Sequence, residues 1–162
     1  MFKNEIKTST TNSFIDHRGE LYTVFNELDT DIKFNHDKIS ISKKNVLRGL
    51  HGDFKSYKRL SCIKGSLFVV VVDNRPSSCY YKKWESYILT DQNKKSILIP
   101  PGFANGHYVL SEEAILFYKW SYSGKYPDVE DQFSLKWNDP ELKIEWPTLN
   151  PILSERDSNE KD

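Results

Sequence analysis

The chain has 162 residues, which is long enough for one domain with a substantial hydrophobic core. Lysine and arginine together number 23, as do aspartate and glutamate, so the formal net charge is zero and argues against a nucleic-acid partner, which needs a basic excess. The longest apolar run, 67–72, is too short to cross a bilayer, so we expect no membrane partner. Residues 1–11 lack the apolar core of a signal peptide, and Cys62 and Cys79 form no CxxC pair, so we expect a cytoplasmic protein.

Short runs of β-branched and aromatic residues recur along the chain, separated by turn-forming residues. They predict strands at 21–25, 38–42, 59–63, 66–72, 84–89, 96–99, 114–120 and 132–135. Many short strands in a chain of this size indicate an all-β sandwich or barrel, and periodicity alone does not distinguish a jelly roll from another sandwich. The valine run 69–72 is apolar on both faces, so we expect it to lie between two packed layers.

The segment 46–51 (VLRGLH) carries an arginine and a histidine three residues apart. The imidazole of His51 is suited to take a proton at neutral pH, and the guanidinium of Arg48 offers a charged fork for phosphate or carboxylate. Together they indicate proton chemistry on an anionic small molecule, although many histidines only satisfy a local hydrogen bond.

A metal-binding jelly roll would present paired histidines, a carboxylate and a later histidine. Here Gly52 and Asp53 follow His51, and Asn105 stands in the later Pro-Gly turn where a histidine ligand would be expected. The sequence therefore predicts no metal.

The chain resembles the sugar-nucleotide 3,5-epimerases typified by dTDP-4-dehydrorhamnose 3,5-epimerase, over roughly residues 12–157. The matching segments, in order, are 14–19 (FIDHRG), 40–51 (SISKKNVLRGLH), 58–60 (KRL), 64–66 (KGS), 71–75 (VVDNR), 99–106 (IPPGFANG), 118–119 (YK), 137–140 (WNDP), 146–147 (WP) and 153–157 (LSERD). The resemblance implies a jelly roll (double-stranded β-helix, cupin-like) as a single domain over 1–157, followed by a charged tail, 158–162. It further implies a homodimer that uses no metal or other cofactor and acts on a nucleoside-diphosphate 4-keto sugar.

The resemblance also implies roles for individual residues. The protons at C3 and C5 of such a sugar are acidic because each carbon is α to the C4 carbonyl, so a base, an acid on the opposite face and an oxyanion partner are needed. The resemblance implies His51 as the base with the Asp157 carboxylate behind it, Tyr118 as the acid, and Lys58 near the developing oxyanion. It implies that Arg18 and Arg48 hold the diphosphate.

The chain departs from the family pattern at several ligand-binding positions. Asn105 replaces a histidine that helps hold the C4 oxygen, and His107, which replaces an aromatic residue, is expected to face the same side and to contact the sugar. Thr23, His36, Lys38 and Asp53 replace Glu, Gln, Asn and Gln, respectively. A site built for one hydrogen-bond pattern rejects another, so these changes indicate a different nucleotide.

Three functions remain open from the sequence. The first is epimerisation at C3, C5 or both of a GDP-4-keto heptose or a dTDP-4-keto-6-deoxyhexose, for bacterial capsule or lipopolysaccharide. The second is a 3,4-ketoisomerase on the same scaffold. The third is a sugar-nucleotide-binding protein that has lost catalysis, which Asn105 favours and the joint presence of His51, Tyr118 and Asp157 opposes. Tyr122 and Tyr126 are expected to be wall or interface aromatics.

Overall fold

A computed structural model describes residues 5–158, which form almost entirely β structure. The strands are β1 (Lys7–Thr10), β2 (Ser13–Asp16), β3 (Gly19–Tyr22), β4 (His36–Lys43), β5 (Leu47–Gly52), β6 (Tyr57–Lys64), β7 (Ser66–Asp73), β8 (Trp84–Thr90), β9 (Lys95–Ile99), β10 (Phe103–Val109), β11 (Glu113–Ser121) and β12 (Phe133–Ser134). Short 3-10 turns cover Glu27–Asp29 and Val129–Asp131, and a single helical turn, α1, covers Glu155–Ser158.

The strands form two five-stranded antiparallel sheets and a separate hairpin. The first sheet has the order β1-β9-β6-β11-β4, the second has the order β12-β5-β10-β7-β8, and β2 pairs only with β3. This architecture confirms the predicted all-β class.

The valine run in β7 lies between two layers, as expected. Val69 and Val71 belong to the main core between the sheets, whereas Val70 and Val72 pack on the outer face of the second sheet under Leu142 and neighbouring residues of the C-terminal segment. All four valines have no exposed surface. The segment that contains Leu142, Ile144 and Trp146 therefore acts as a third layer over the second sheet.

Sequence patterning missed β1 and β2, and it also missed β10 and β5, which are the central strand of the second sheet and its neighbour. Strands β5 and β10 both contain glycines, which weaken a strand signal, but here the glycines allow the strands to approach closely. A Cβ atom on Gly49 would lie 2.6 Å from the Cα of Gly106. The φ of Gly49, +114°, also disfavours any other residue at this position. A β-bulge then shifts the register of this pair between Asn105 and His107.

The ends of two predictions need correction. The strand predicted at 21–25 ends at Tyr22, and the one predicted at 132–135 is reduced to Phe133–Ser134. Of the predicted tail, Ser158 ends α1, while residues 159–162 lie outside the described part of the chain.

Candidate active site

A cavity of about 340 Å³ opens between the two sheets. Strands β5 and β10 of the second sheet, with Ser154, Arg156 and Asp157, supply one wall, and β4, β6 and β11 of the first sheet supply the other. The polar side chains of the cavity are those of Lys38, Ser40, Arg48, His51, Lys58, Asn105, Tyr118, Tyr126, Asp128, Gln132, Ser154, Arg156 and Asp157. Six of the eight predicted site residues are thus brought together around one space.

His51 forms a hydrogen-bonded pair with Asp157 on the wall of the second sheet. The Nε2 atom of His51 lies 2.7 Å from Oδ1 of Asp157, and its Nδ1 atom lies 2.9 Å from Oγ of Ser134. Because a carboxylate only accepts hydrogen bonds, Nε2 carries the ring proton and Nδ1 carries the basic lone pair. Ser134 lies opposite His51 in the ladder between β12 and β5, which places its hydroxyl beside the ring.

Asp157 reaches the back of His51 because the C-terminal segment is tied to the start of β5. Ile152 bridges to Val46, and the backbone N–H of Leu47 donates to the carbonyl of Ile152. Ser154 Oγ then accepts from the backbone N–H of Asp157 at the first turn of α1. Asp157 is consequently buried, and not the solvated carboxylate that its place near a charged terminus would suggest.

The environment of Asp157 favours its ionised form. Burial acts to raise the pKa of this carboxyl, but the hydrogen bond and charge interaction with His51, together with hydrogen bonds from Ser154 and the backbone of Gly49, lower it below its ordinary value. An ionised carboxylate at this position orients the imidazole and stabilises the imidazolium that forms when Nδ1 takes a proton.

Lys58 is a buried cation on the opposite wall. Its Nζ lies 3.6 Å from Oδ2 of Asp53 and 4.5 Å from the centre of the Trp120 ring, and only 3% of the side chain is exposed. Burial lowers the pKa of Lys58 to about 8, although the nearby Asp53 carboxylate acts to raise it. Below that pH, the ammonium is a preorganised partner for negative charge in the cavity.

Tyr118 lies on β11, on the same wall as Lys58. Burial raises the pKa of its hydroxyl well above the ordinary value, so the phenol stays protonated at neutral pH. Its Oη lies 3.3 Å from Nδ1 of His107. His107 is itself 1% exposed and lies behind Tyr118, outside the lining of the cavity.

Arg48 and Asn105 line the cavity close to His51. The Nε of Arg48 donates to Ser42 Oγ at 3.0 Å, and the guanidinium remains at the cavity wall. Asn105 lies directly opposite His51 in the ladder between β10 and β5. The amide therefore sits beside the imidazole and offers a neutral hydrogen-bond donor.

Arg18 is the predicted site residue that lies farthest from this arrangement. It belongs to the β2–β3 hairpin, pairs with Asp16 at the surface and has a side chain that is 79% exposed. It lines a separate depression of about 310 Å³ with other hairpin residues, and not the cavity that holds His51. Thr23 directly follows the same hairpin and is also exposed.

Several residues in or beside the cavity escaped the sequence analysis. Arg156 lies next to Asp157 in the matched LSERD segment, and its Nη2 donates to Ser134 Oγ at 2.9 Å. Its position beside a predicted catalytic residue was the one available signal. The ladder position of Ser134 and the covering ring of Trp120 are fixed by tertiary contacts and leave no such signal.

The substituted positions lie in different places. Lys38 enters the cavity, where Nζ contacts the Tyr126 hydroxyl and faces the rings of Tyr126 and Trp120. His36 stacks on Tyr126 at 4.5 Å between ring centres and lies 3.3 Å from the Tyr122 hydroxyl. Tyr126 is therefore a wall aromatic, while Tyr122 supports the wall from behind.

Residues 5–158 contain no group of three or more His, Cys, Asp or Glu side chains that could hold a metal ion. No helix in that range has the length and apolar character needed to span a membrane.

The two packed sheets and the His–Asp pair facing a tyrosine and a buried lysine define a cupin-like protein with a site suited to proton transfer. A family model for dTDP-4-dehydrorhamnose 3,5-epimerase matches residues 4–162, and the chain belongs to this family of isomerases. The predicted family, jelly-roll fold and enzyme class are thereby confirmed.

Individual relatives agree with this assignment. The chain is 40% identical over 154 residues to dTDP-4-dehydrorhamnose 3,5-epimerase of Escherichia coli K12, covering 89% of this chain and 82% of that one. It is 36% identical over 126 residues to dTDP-4-dehydrorhamnose 3-epimerase of Streptomyces niveus, covering 75% and 58% of the two chains. A crystal structure of the Legionella pneumophila dTDP-6-deoxy-D-glucose-3,5-epimerase in complex with dTDP-4-keto-L-rhamnose superposes with a TM-score of 0.88 at 35% identity, covering 98% and 87%.

Proposed function

We propose that this chain inverts C3, C5 or both of a nucleoside-diphosphate 4-keto sugar through an enolate, without a cofactor. The observation that carries the proposal is the hydrogen-bonded pair of His51 and Asp157 on one wall of the cavity, with Tyr118 and Lys58 on the other. A base and an acid on opposite walls suit a reaction in which a proton leaves one face of a carbon and returns to the other.

In the first half of the reaction, Nδ1 of His51 removes the proton from a carbon α to the C4 carbonyl. The substrate C–H replaces the Ser134 hydroxyl as the partner of this nitrogen. The electron pair of the broken C–H bond moves into the enolate, and Asp157 stabilises the resulting imidazolium.

In the second half, the Tyr118 hydroxyl gives its proton to the same carbon from the opposite face. Lys58 neutralises the enolate oxygen, assisted by the amide of Asn105, and a buried ammonium contributes strongly because little water screens it. Return of the His51 proton to solvent and recovery of a proton by Tyr118 complete the cycle.

Cations at the cavity wall support binding of the diphosphate. Arg48 and Arg156 both line the cavity, and guanidinium groups match phosphate oxygens geometrically. Lys38 adds a third cation at the same opening, facing neutral groups on Tyr126 and Trp120.

We infer a dTDP-linked 4-keto-6-deoxyhexose as the first substrate to test, since thymidine nucleotides are named for the relatives. A GDP-linked 4-keto heptose should be tested as the second substrate. The specific reason is that Lys38 brings a charge to the cavity at a position where the family pattern has an amide. Either product would be a building block for bacterial capsule or lipopolysaccharide.

We propose that two copies of the chain form a dimer that completes the site. Ile39 and Ile41 of edge strand β4 are 66% and 61% exposed, and the hairpin exposes Phe14 and Leu21. A second copy covering these surfaces would bring its own Arg18 to a ligand that the Arg18 of the first copy does not reach. Multi-angle light scattering of the protein and of an Ile39→Glu variant tests this, and a monomeric unmodified protein would refute it.

The activity is tested by incubating the protein in D2O with dTDP- and GDP-linked 4-keto sugars and following deuterium by NMR. We expect incorporation at C3, C5 or both with inversion, and none with His51→Asn. A 3-keto product would indicate the ketoisomerase instead, and binding without any exchange would indicate an inactive binding protein.

The nucleotide is tested by comparing kcat/KM for the two substrates in the unmodified protein and in Lys38→Asn. If Lys38 reads the nucleotide, the variant changes the ratio of the two values. An unchanged ratio would show that Lys38 does not select the nucleotide, and its proposed role would then be limited to binding the diphosphate.

A further inference from the structure

His107 is a fully buried imidazole whose one described polar contact is the hydroxyl of the proposed acid. Its Nδ1 lies 3.3 Å from Oη of Tyr118. His107 follows the bulge on β10 and pairs with Arg48 on β5 and Val69 on β7, which directs its side chain into the space between the sheets. It reaches the cavity only through the tyrosine ring, because it does not line the cavity itself.

The other ring nitrogen indicates which tautomer is present. Nε2 of His107 is buried and has no hydrogen-bond partner among the described residues. A buried N–H without a partner is rarer in proteins than a buried acceptor without one. The favoured tautomer therefore leaves Nε2 as the bare acceptor and puts the proton on Nδ1, which then donates to Tyr118 Oη.

The surroundings keep this imidazole neutral. Burial and the positive charge of Arg48 lower the pKa of His107 to about 3, although the Asp157 carboxylate acts to raise it. Burial raises the pKa of Tyr118, the same Arg48 charge acts to lower it, and the Tyr126 hydroxyl acts to raise it. A neutral imidazole has one N–H to donate, and its partner here is the phenol oxygen.

We propose that His107 is a positioning residue for Tyr118: its Nδ1–H donates to Oη, turns the phenol proton toward the cavity and stabilises the tyrosinate left when that proton has moved to carbon. This rests on the proposed role of Tyr118. In the step, the phenol O–H bond breaks and a C–H bond forms on the enolate carbon. The Nδ1–H bond of His107 stays intact, and Tyr118 regains a proton from solvent.

The proposal predicts an effect on the second half of the reaction and not on the first. His107→Phe keeps a ring in the space but removes the donor, whereas His107→Asn offers an amide N–H near the former Nδ1 position. A hydrogen bond to a charged group contributes about 1.5–3 kcal/mol, so kcat for inversion in His107→Phe should fall by about 10-fold to about 150-fold. KM should change little, because His107 does not line the cavity.

The measurement is the distribution of deuterium after reaction in D2O. With His107→Phe, we expect deuterium to accumulate in recovered substrate faster than in inverted product, and His107→Asn to restore part of the product. An equal loss of both in a folded variant that still binds substrate would show a merely structural role. Unchanged inversion would likewise overturn the inference.

A second readout follows His107 directly. In protein labelled with 15N at histidine, with His107 assigned by His107→Phe, the Nδ1 and Nε2 shifts at neutral pH should show that the ring proton is on Nδ1. A proton on Nε2 would refute donation to Oη. Full inversion by Tyr118→Phe would refute the acid assignment in the proposed function, and this inference with it, whereas loss of inversion in Tyr118→Phe but not in His107→Phe would refute this inference alone.

Discussion

Each wall of the cavity presents a ring that can carry a proton, His51 on one wall and Tyr118 on the other, but the polar group that contacts each ring differs in charge. On one wall, the half-buried imidazole of His51 is backed by the Asp157 carboxylate, whose pKa is held below its ordinary value. On the other wall, the phenol of Tyr118 contacts the neutral imidazole of His107, which reaches it from β10 of the second sheet, and burial keeps the hydroxyl protonated. In the proposed mechanism, the polar group beside each ring therefore suits His51 to take a proton and Tyr118 to give one.

The largest expected effect comes from removing the charge that distinguishes the His51 wall. Asp157→Asn should lower kcat by about 10³-fold or more, because an amide behind the imidazole neither fixes the Nε2–H tautomer nor stabilises imidazolium. Steady-state kinetics measure this. Glu112→Gln is the matched control, since this carboxylate is 86% exposed and pairs with Lys44 far from the cavity. Near-normal turnover by Asp157→Asn would contradict a carboxylate-assisted base.

The next effect concerns the cation on the Tyr118 wall. Lys58→Met should lower kcat by about 10²–10³-fold, because the enolate oxygen loses its preorganised partner. Thermal unfolding should be recorded in parallel, since the variant leaves Asp53 without its cation. A normal kcat in the folded variant would remove Lys58 from oxyanion stabilisation.

The same lysine predicts a pH dependence. The pKa of Lys58 is about 8, so the ammonium is present below that pH and lost as the pH rises through it. The pH profile of kcat/KM should therefore fall on its alkaline side near pH 8. Asp53→Asn should move this fall to lower pH, because it removes the carboxylate that acts to raise the lysine pKa. A shift to higher pH would contradict the pairing.

The smallest effect tests whether Ser134 belongs to the functional pair on the first wall. Ser134→Ala should change kcat/KM by less than about tenfold, because one neutral hydrogen bond contributes about 0.5–1.5 kcal/mol. The change should fall on KM, since Ser134 also holds Arg156 at the cavity. A loss as large as that of Asp157→Asn would mean that the hydroxyl, and not the carboxylate, orients the imidazole.

The sequence and the structure agree best where local patterning is strong. The runs that became β7, β9 and β11 were predicted because β-branched and aromatic residues recur in them. Strands β5 and β10 were missed because their glycines weaken the strand signal, yet Gly49 and Gly106 are what let the two strands come together. The position of His51 depends on that close pairing.

The sequence by itself determined the all-β class and, through a series of short motifs in order, the family and six residues of the candidate site. It could not determine which partner stands behind each of them, because a partner is set by packing between segments distant in the chain. Asp157 reads as a terminal solvated charge until the C-terminal segment is tied to β5, and His107 reads as a sugar contact until the bulge places it behind Tyr118. Only the tertiary structure decides between the two interpretations of each residue, since burial and hydrogen-bond geometry determine whether the group is charged and where its proton lies.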